Sequence, residues 1–143
     1  MLPDEPATPE PIDLVRQAFD AGNRHDVDAI VSFHAPEAVW DLSDQGLGSY
    51  EGAAAITGWI EDWFGTWADL RLDVLDVVEL GHGVVFAQVR EEGRFADGGG
   101  HAEQQRGWVI LAAQGAIART AIYLNADEAR TAAERLAQER ADG

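Results

Sequence analysis

At Asp69 the spacing of apolar residues changes from a helical period to a period of two, and any fold of this chain must accommodate that switch. Before it, Ile56, Ile60, Trp63 and Trp67 fall at i, i+4, i+7 and i+11, a single helical stripe flanked by Trp59 and Phe64. After it, Leu70, Leu72, Val74 and Val78 alternate with Arg71, Asp73 and Glu79, the pattern of a half-buried strand. Gly81-His82-Gly83 turns the chain into a second long strand, Val84–Phe95. Ala96-Asp97-Gly98-Gly99-Gly100 turns it again into a strand over 101–113, and Gln114-Gly115 is a tight hairpin into Ala116–Leu124. Consecutive hairpins predict an antiparallel sheet.

The segments around this sheet read as helices. Pro11 suits a first helical position, and Ile12, Val15, Phe19 and Gly22 then repeat at helical spacing until Gly22-Asn23 ends the helix. Asp26 caps a second helix with Val27, Ile30, Val31 and His34 on one face, and Pro36 stops it. A short strand over 38–41 ends on Asp41, a Gly/Ser loop follows, and the tryptophan helix starts at about Ala53. Asn125 with Glu128 makes a capping-box-like start for a last, alanine-rich helix with Glu134, Arg135, Glu139 and Arg140 on its wet side. Residues 1–10, with Pro3, Pro6 and Pro9, predict a disordered acidic tail before one domain over 11–141. The order α-α-β-α-β-β-β-β-α predicts an α+β roll, a curved antiparallel sheet with the helices gathered on one face.

Charge and composition exclude several functions. Ten basic against 26 acidic residues give a net charge of −16, which repels phosphate backbones, and no basic stripe appears, so no nucleic-acid partner is expected. The chain has no cysteine, which excludes disulfides, thiolate metal sites and cysteine nucleophiles. No apolar run reaches the roughly 18 residues of a spanning helix, so no membrane partner is expected. The N-terminus lacks the basic flank and apolar centre of a signal peptide, making the cytoplasm the expected location. His25, His34, His82 and His101 are scattered, so no metal site is expected. Gly98-Gly99-Gly100 lacks the Lys and Ser/Thr of a phosphate loop, and no cofactor is expected.

Candidate site residues cluster around the tryptophan segment. Four of the five tryptophans lie between Glu37 and Trp67, and Asp41 stands directly beside Trp40. A carboxylate pressed against apolar surface has a raised pKa and can shuttle protons, whereas one that caps the following loop through backbone N–H groups is structural. Glu91 shares its strand face with Val85, Ala87 and Val89 and so points inward, unless the strand end frays and leaves it in water. His101, Glu103 and Gln105 lie on one face of the next strand, with Gln104 and Arg106 on the other; the first set is either a polar pocket wall or a solvent-facing strand end. Trp59 and Trp63 are core or cavity lining. Tyr123 either donates to a ligand or faces outward into a dimer interface. His34 reads as a satisfied core histidine.

Four short stretches carry a family resemblance: Arg24-His25-Asp26-Val27-Asp28-Ala29-Ile30, Pro36-Glu37-Ala38-Val39-Trp40-Asp41, Tyr50-Glu51-Gly52 and Tyr123-Leu124-Asn125. In this order and spacing the chain, over about residues 12–136, resembles the SnoaL-like group of the nuclear transport factor 2-like (cystatin-like cone) superfamily. The resemblance implies a curved sheet wrapped around a long helix, an apolar cavity in the resulting cone, and a homodimer through the sheet's outer face. It implies a small apolar or polycyclic, polyketide-like ligand, handled by isomerase- or cyclase-type acid/base chemistry, or else a non-catalytic ligand-binding or dimerisation module. Against the ketosteroid isomerase branch, Asp41 falls on the proton-transferring carboxylate, but the oxyanion donors fall on Ala18 or Phe19 and near Gly107 or Trp108. Against the limonene epoxide hydrolase-like branch, the acid–Arg–acid positions fall on Val89, Glu91 and Ile122, leaving one acid. The predicted site is Asp41 as catalyst, with Trp40, Trp59, Trp63, Glu91, His101, Glu103, Gln105 and Tyr123 binding the ligand.

Overall fold

A computed structural model describes residues 9–143, so the expected acidic tail lies, but for Pro9 and Glu10, outside the described residues. The elements are α1 (Pro11–Asn23), α2 (Val27–Ser32), β1 (His34–Asp41), β2 (Ser49–Glu51), α3 (Ala53–Thr66), β3 (Arg71–Gly81), β4 (Val84–Arg94), β5 (His101–Ala113), β6 (Ala116–Tyr123) and α4 (Ala126–Asp142), with a 3₁₀ turn at Ser43–Gln45. Local chemistry sets most boundaries. Pro11 opens α1. The Asp26 carboxylate accepts from the Ala29 N–H at 3.1 Å, and the Asn125 side chain accepts from the Glu128 N–H at 3.0 Å, so both helix starts are capped. His82-Gly83 and Gln114-Gly115 each place both residues at positive φ, the backbone of the tight turn whose twist matches paired strands.

Two features depart from expectation in the N-terminal half. β1 begins at His34 rather than Ala38, and Pro36 lies inside it, where the register against β6 shifts between His34 and Val39. A proline is tolerated there because an irregular stretch needs no ladder donor. β2, not anticipated, is three residues long and pairs Val39 with Glu51 and Asp41 with Ser49.

The strands form one unclosed sheet in the order β2-β1-β6-β5-β4-β3. Four neighbouring pairs are antiparallel, but β1 and β6 run parallel, so the sheet is mixed. The three hairpins from β3 to β6 leave one edge of β6 open, and β1 fills it from the other end of the chain. Nor do all helices lie on one face. Val85, Ala87, Val89, Trp108 and Ile110 pack with α1 and α3, while Val84, Phe86, Val109 and Ala121 pack with Ala129, Ala133 and Ala137 of α4. The reason is in the strands: Val84-Val85-Phe86-Ala87 and Trp108-Val109-Ile110 are apolar at both parities, so both faces need cover. The uncovered part of the outer face is polar instead. There Asp73 accepts from Arg71 and Arg90 at 2.8 Å each, Arg90 faces Glu103 at 3.7 Å, and Gln88 donates to Gln105.

The alanine stripe of α4 reaches the sheet backbone at Gly107. A Cβ there would lie 2.3 Å from the Ala129 Cβ and 2.9 Å from the Ala126 Cα. Gly107→Ala should therefore push α4 off β5 and cost about 1–3 kcal/mol by overpacking. Thermal unfolding followed by circular dichroism should show a melting temperature lower by roughly 3–10 °C.

Candidate functional site

The inner face of the sheet and the helices above it enclose an aromatic cone. Inward parity along β1 brings Trp40 under α3, and the same alternation on β5 brings Trp108 under α1. Trp40 meets Trp59 at 5.6 Å between ring centroids and Trp108 at 5.8 Å edge-on; Phe19 meets Trp108 at 4.9 Å, and Trp59 meets Trp63 at 5.1 Å. The expected pocket residues Trp40, Trp59 and Trp63 thus come together. Phe19, Tyr50, Phe64 and Trp108 join them, although none was among the predicted ligand-binding residues. What remains between the rings is a cavity of about 30 Å³, lined among others by Val15, Ala18, Ile60, Leu72, Ile110 and Thr120. That is room for about one water.

His34, Trp108 and the buried Thr120 put polar groups in this apolar wall. The Trp40 indole N–H donates to His34 Nε2 at 2.9 Å, and His34 Nδ1 lies 2.8 Å from the Ile30 carbonyl oxygen. An indole nitrogen can only donate, so Nε2 is unprotonated and Nδ1–H donates to Ile30. Burial holds the His34 pKa down, favouring this neutral form, against the opposing pull of the Ile30 carbonyl. The histidine of the cone is thus satisfied on both sides. The Trp108 N–H is not: it is buried, with no hydrogen-bond partner among the described residues.

Asp41 lies elsewhere. Alternation along β1 sends it to the face opposite Trp40, where it borders a cavity of about 200 Å³ with Ser43, Asp44, Ala121 and Tyr123, outside the cone. Its Oδ1 accepts from the Ser43 hydroxyl at 2.6 Å and the Ser43 backbone N–H at 3.0 Å; its Oδ2 accepts from Arg119 at 2.6 Å. The Ser43 hydroxyl holds its pKa below the usual carboxylate value; partial burial opposes this, and the Ser43 backbone N–H and Arg119 reinforce it. A raised pKa, the basis for a proton shuttle, is therefore corrected: this carboxylate caps the loop after β1 and ties it to β6. Tyr123 shares the same outer face, in the groove between β6 and α4.

The β5 residues divide opposite to expectation. Trp108 and Ile110 face inward, so Gln104 and Arg106 share the inner face, while His101, Glu103 and Gln105 lie on the outer face with exposed side chains. Glu91 does point inward, opposite Gln104 in the ladder, and is only 4% exposed. Its single side-chain hydrogen bond is long, 3.4 Å from Gln104 Nε2. Burial raises its pKa, which Arg106 and Gln104 only partly offset. The inner polar group is thus Glu91, Gln104 and Arg106, and the buried Nε of Arg106 also lacks a partner. Counting back in twos from Trp108 yields this set, but the unbroken run Trp108-Val109-Ile110-Leu111 does not say which parity is inward. No cluster of His, Asp and Glu suited to a metal ion occurs among the described residues.

The lowered Asp41 pKa fixes a sign. A depressed carboxylate contributes stability that is present above its unfolded pKa and lost as pH falls through the folded one. Asp41→Asn should be less stable than the wild type at pH 7 by on the order of 1 kcal/mol, the size of an exposed ion pair plus a net hydrogen bond. The gap should close as pH is lowered below the carboxylate range, read by urea unfolding at successive pH values.

Comparison with known proteins agrees with this geometry. No curated protein matches the chain in sequence. Among solved structures, TerC co-crystallised with polyporic acid is similar, with a TM-score of 0.72, 17% identity, and coverage of 88% of this chain and 99% of that one. A cystatin-fold protein from Novosphingobium aromaticivorans has a TM-score of 0.71 at 18% identity, covering 80% and 97%. A candidate polyketide cyclase from Xanthomonas campestris has a TM-score of 0.68 at 25% identity, covering 83% and 93%. The SnoaL-like domain model matches residues 15–120, from α1 into β6. A match over most of the chain, on a fold shared with these structures, places this protein in the SnoaL-like family.

Proposed function

We propose that the protein binds a small, flat, largely apolar ring compound in the aromatic cone, without Asp41 taking part. The observation that carries this reading is the cavity wall. It is apolar almost throughout, and Trp59, Trp63 and Phe64 on α3 are only half-buried, so their rings present an apolar rim. The names of the polyporic acid complex and the candidate polyketide cyclase support a ring-shaped ligand for cones of this kind. Pockets that take drug-sized ligands run to roughly 300–1,000 Å³. A cavity of about 30 Å³ therefore admits a ring only if an aromatic wall moves. The unpartnered Trp108 N–H adds selectivity, because a ligand oxygen that reached it would relieve a buried unsatisfied donor.

A matched pair of compounds tests this. By calorimetric titration, 1-tetralone should bind saturably and about 5–10-fold more tightly than tetralin, which lacks the carbonyl. Trp108→Phe should remove the preference, and Ala18→Leu, which fills the cavity, should abolish binding of both. Absence of saturable binding by the wild type, or unchanged binding by Ala18→Leu, would reject the cone as the site.

A second reading, acid/base chemistry, is favoured by Glu91. A buried carboxyl with one long hydrogen bond and a pKa raised by burial keeps its proton more readily than an ordinary glutamate and can donate it. The sign here is opposite to that of Asp41. Because burial disfavours the charged form, Glu91 costs the fold stability as pH rises from the ordinary glutamate pKa up to its folded value. Glu91→Gln should therefore gain on the wild type in chemical denaturation as pH rises above the ordinary glutamate range. A difference that stays constant with pH would remove the case for Glu91 as the acid.

A further inference from the structure

The rim of the cone is carried by α3, which alone among the long helices of the described residues holds two glycines. Gly58 and Gly65 lie inside it, and a Cβ at either position would meet nothing within 4 Å. Neither has a positive φ, so neither packing nor backbone conformation demands glycine there, unlike Gly107. Helical glycines of this kind weaken a helix relative to alanine. Its C-terminal carbonyls are satisfied, by the Thr66 hydroxyl at Asp62, the Trp67 N–H at Phe64 and the Ala96 N–H at Thr66, but charge does little for either end. Gly52 at the N-cap makes no side-chain hydrogen bond, the first turn has no acidic residue, and the last turn has no basic one. Glu61 and Asp62 instead bring negative charge toward its C-terminal end, against the helix dipole. The half-buried Trp59, Trp63 and Phe64 fall between the two glycines. Beyond them α3 is anchored, by buried Ile56 on one side and by Trp67 stacked on Phe95 at 4.9 Å on the other, while between the glycines only Ile60 is fully buried, and its side chain leaves the core when the wall opens.

We infer that the segment from Gly58 to Gly65 is a hinged wall that unwinds locally and opens the cone, while Ile56 and Trp67 stay in place. This inference rests on the ligand reading above for its purpose, but the opening itself is a property of the free protein. The two glycines lower the cost of opening relative to alanine and so offset part of the cost of exposing Ile60. The aromatic rings that fill the cone when it is closed become the surfaces on which the ligand stacks.

Hydrogen exchange of the free, full-length protein tests the opening directly. Amides of α3 should exchange through local opening faster than those of α1. The double variant Gly58→Ala/Gly65→Ala should slow exchange in α3 by about two- to fivefold per alanine, with little change in α1. Its apparent affinity for 1-tetralone should fall by the same factor, because a ligand that binds the open form is weakened as that form becomes rarer. Exchange of α3 at the rate of α1, or uniform slowing of the whole protein in the double variant, would overturn the hinge. Exchange is read without ligand, so it decides the opening even where the tetralone titration fails.

Discussion

β4 and β5 carry apolar side chains at both parities through their central residues, and each face of the sheet must therefore be covered by a separate layer. On the inner face the cover is bulky: Phe19 of α1, Trp59 and Trp63 of α3, and Trp40 from β1. On the outer face it is as thin as a helix can be, the Ala129-Ala133-Ala137 stripe of α4 set against Gly107. The rest follows from this division. Asp41, Arg119 and Tyr123 fall on the thin side, where the Asp41–Arg119 pair ties the loop after β1 to β6. Glu91, Gln104 and Arg106 fall on the thick side, where aromatic packing excludes water and a carboxyl is pushed toward its neutral form. The α4 layer also covers part of the sheet's outer face.

Features set by neighbouring residues were legible in the sequence. The change of period at Asp69, the two-residue turns and the Asp26 and Asn125 caps all act within a few positions, and local chemistry decides them. What escaped was decided at a distance. The parallel pairing of β1 with β6 joins segments some 80 residues apart, with no signal in either. The phase of β5 is hidden because Trp108-Val109-Ile110-Leu111 is apolar at every position; only packing against α1 and α4 selects Trp108 and Ile110 as inward. Asp41 shows the same limit in one residue. Its neighbour Trp40 suggests a buried site, yet adjacency along a strand means opposite faces.

The cone shows how closely stability and binding compete in this fold. Rings packed tilted or edge-on at 5.6 and 5.8 Å leave almost no empty volume, which favours the folded chain. The same packing leaves one indole N–H, that of Trp108, buried without a partner among the described residues. Groups of this kind cost stability, and functional sites are where such costs persist.

The parallel β1–β6 pair has a consequence for how the chain reaches this state. The Arg119–Asp41 ion pair spans 78 residues, and β1 has no partner but the short β2 until β6 has been made and positioned. Long sequence separation between contacting strands slows folding, because loop-closure entropy is lost before the contacts form. During synthesis on the ribosome, Trp40 and its strand emerge early and wait, with an apolar face uncovered, for the last hairpin. An acidic chain that repels its own copies is well suited to that interval.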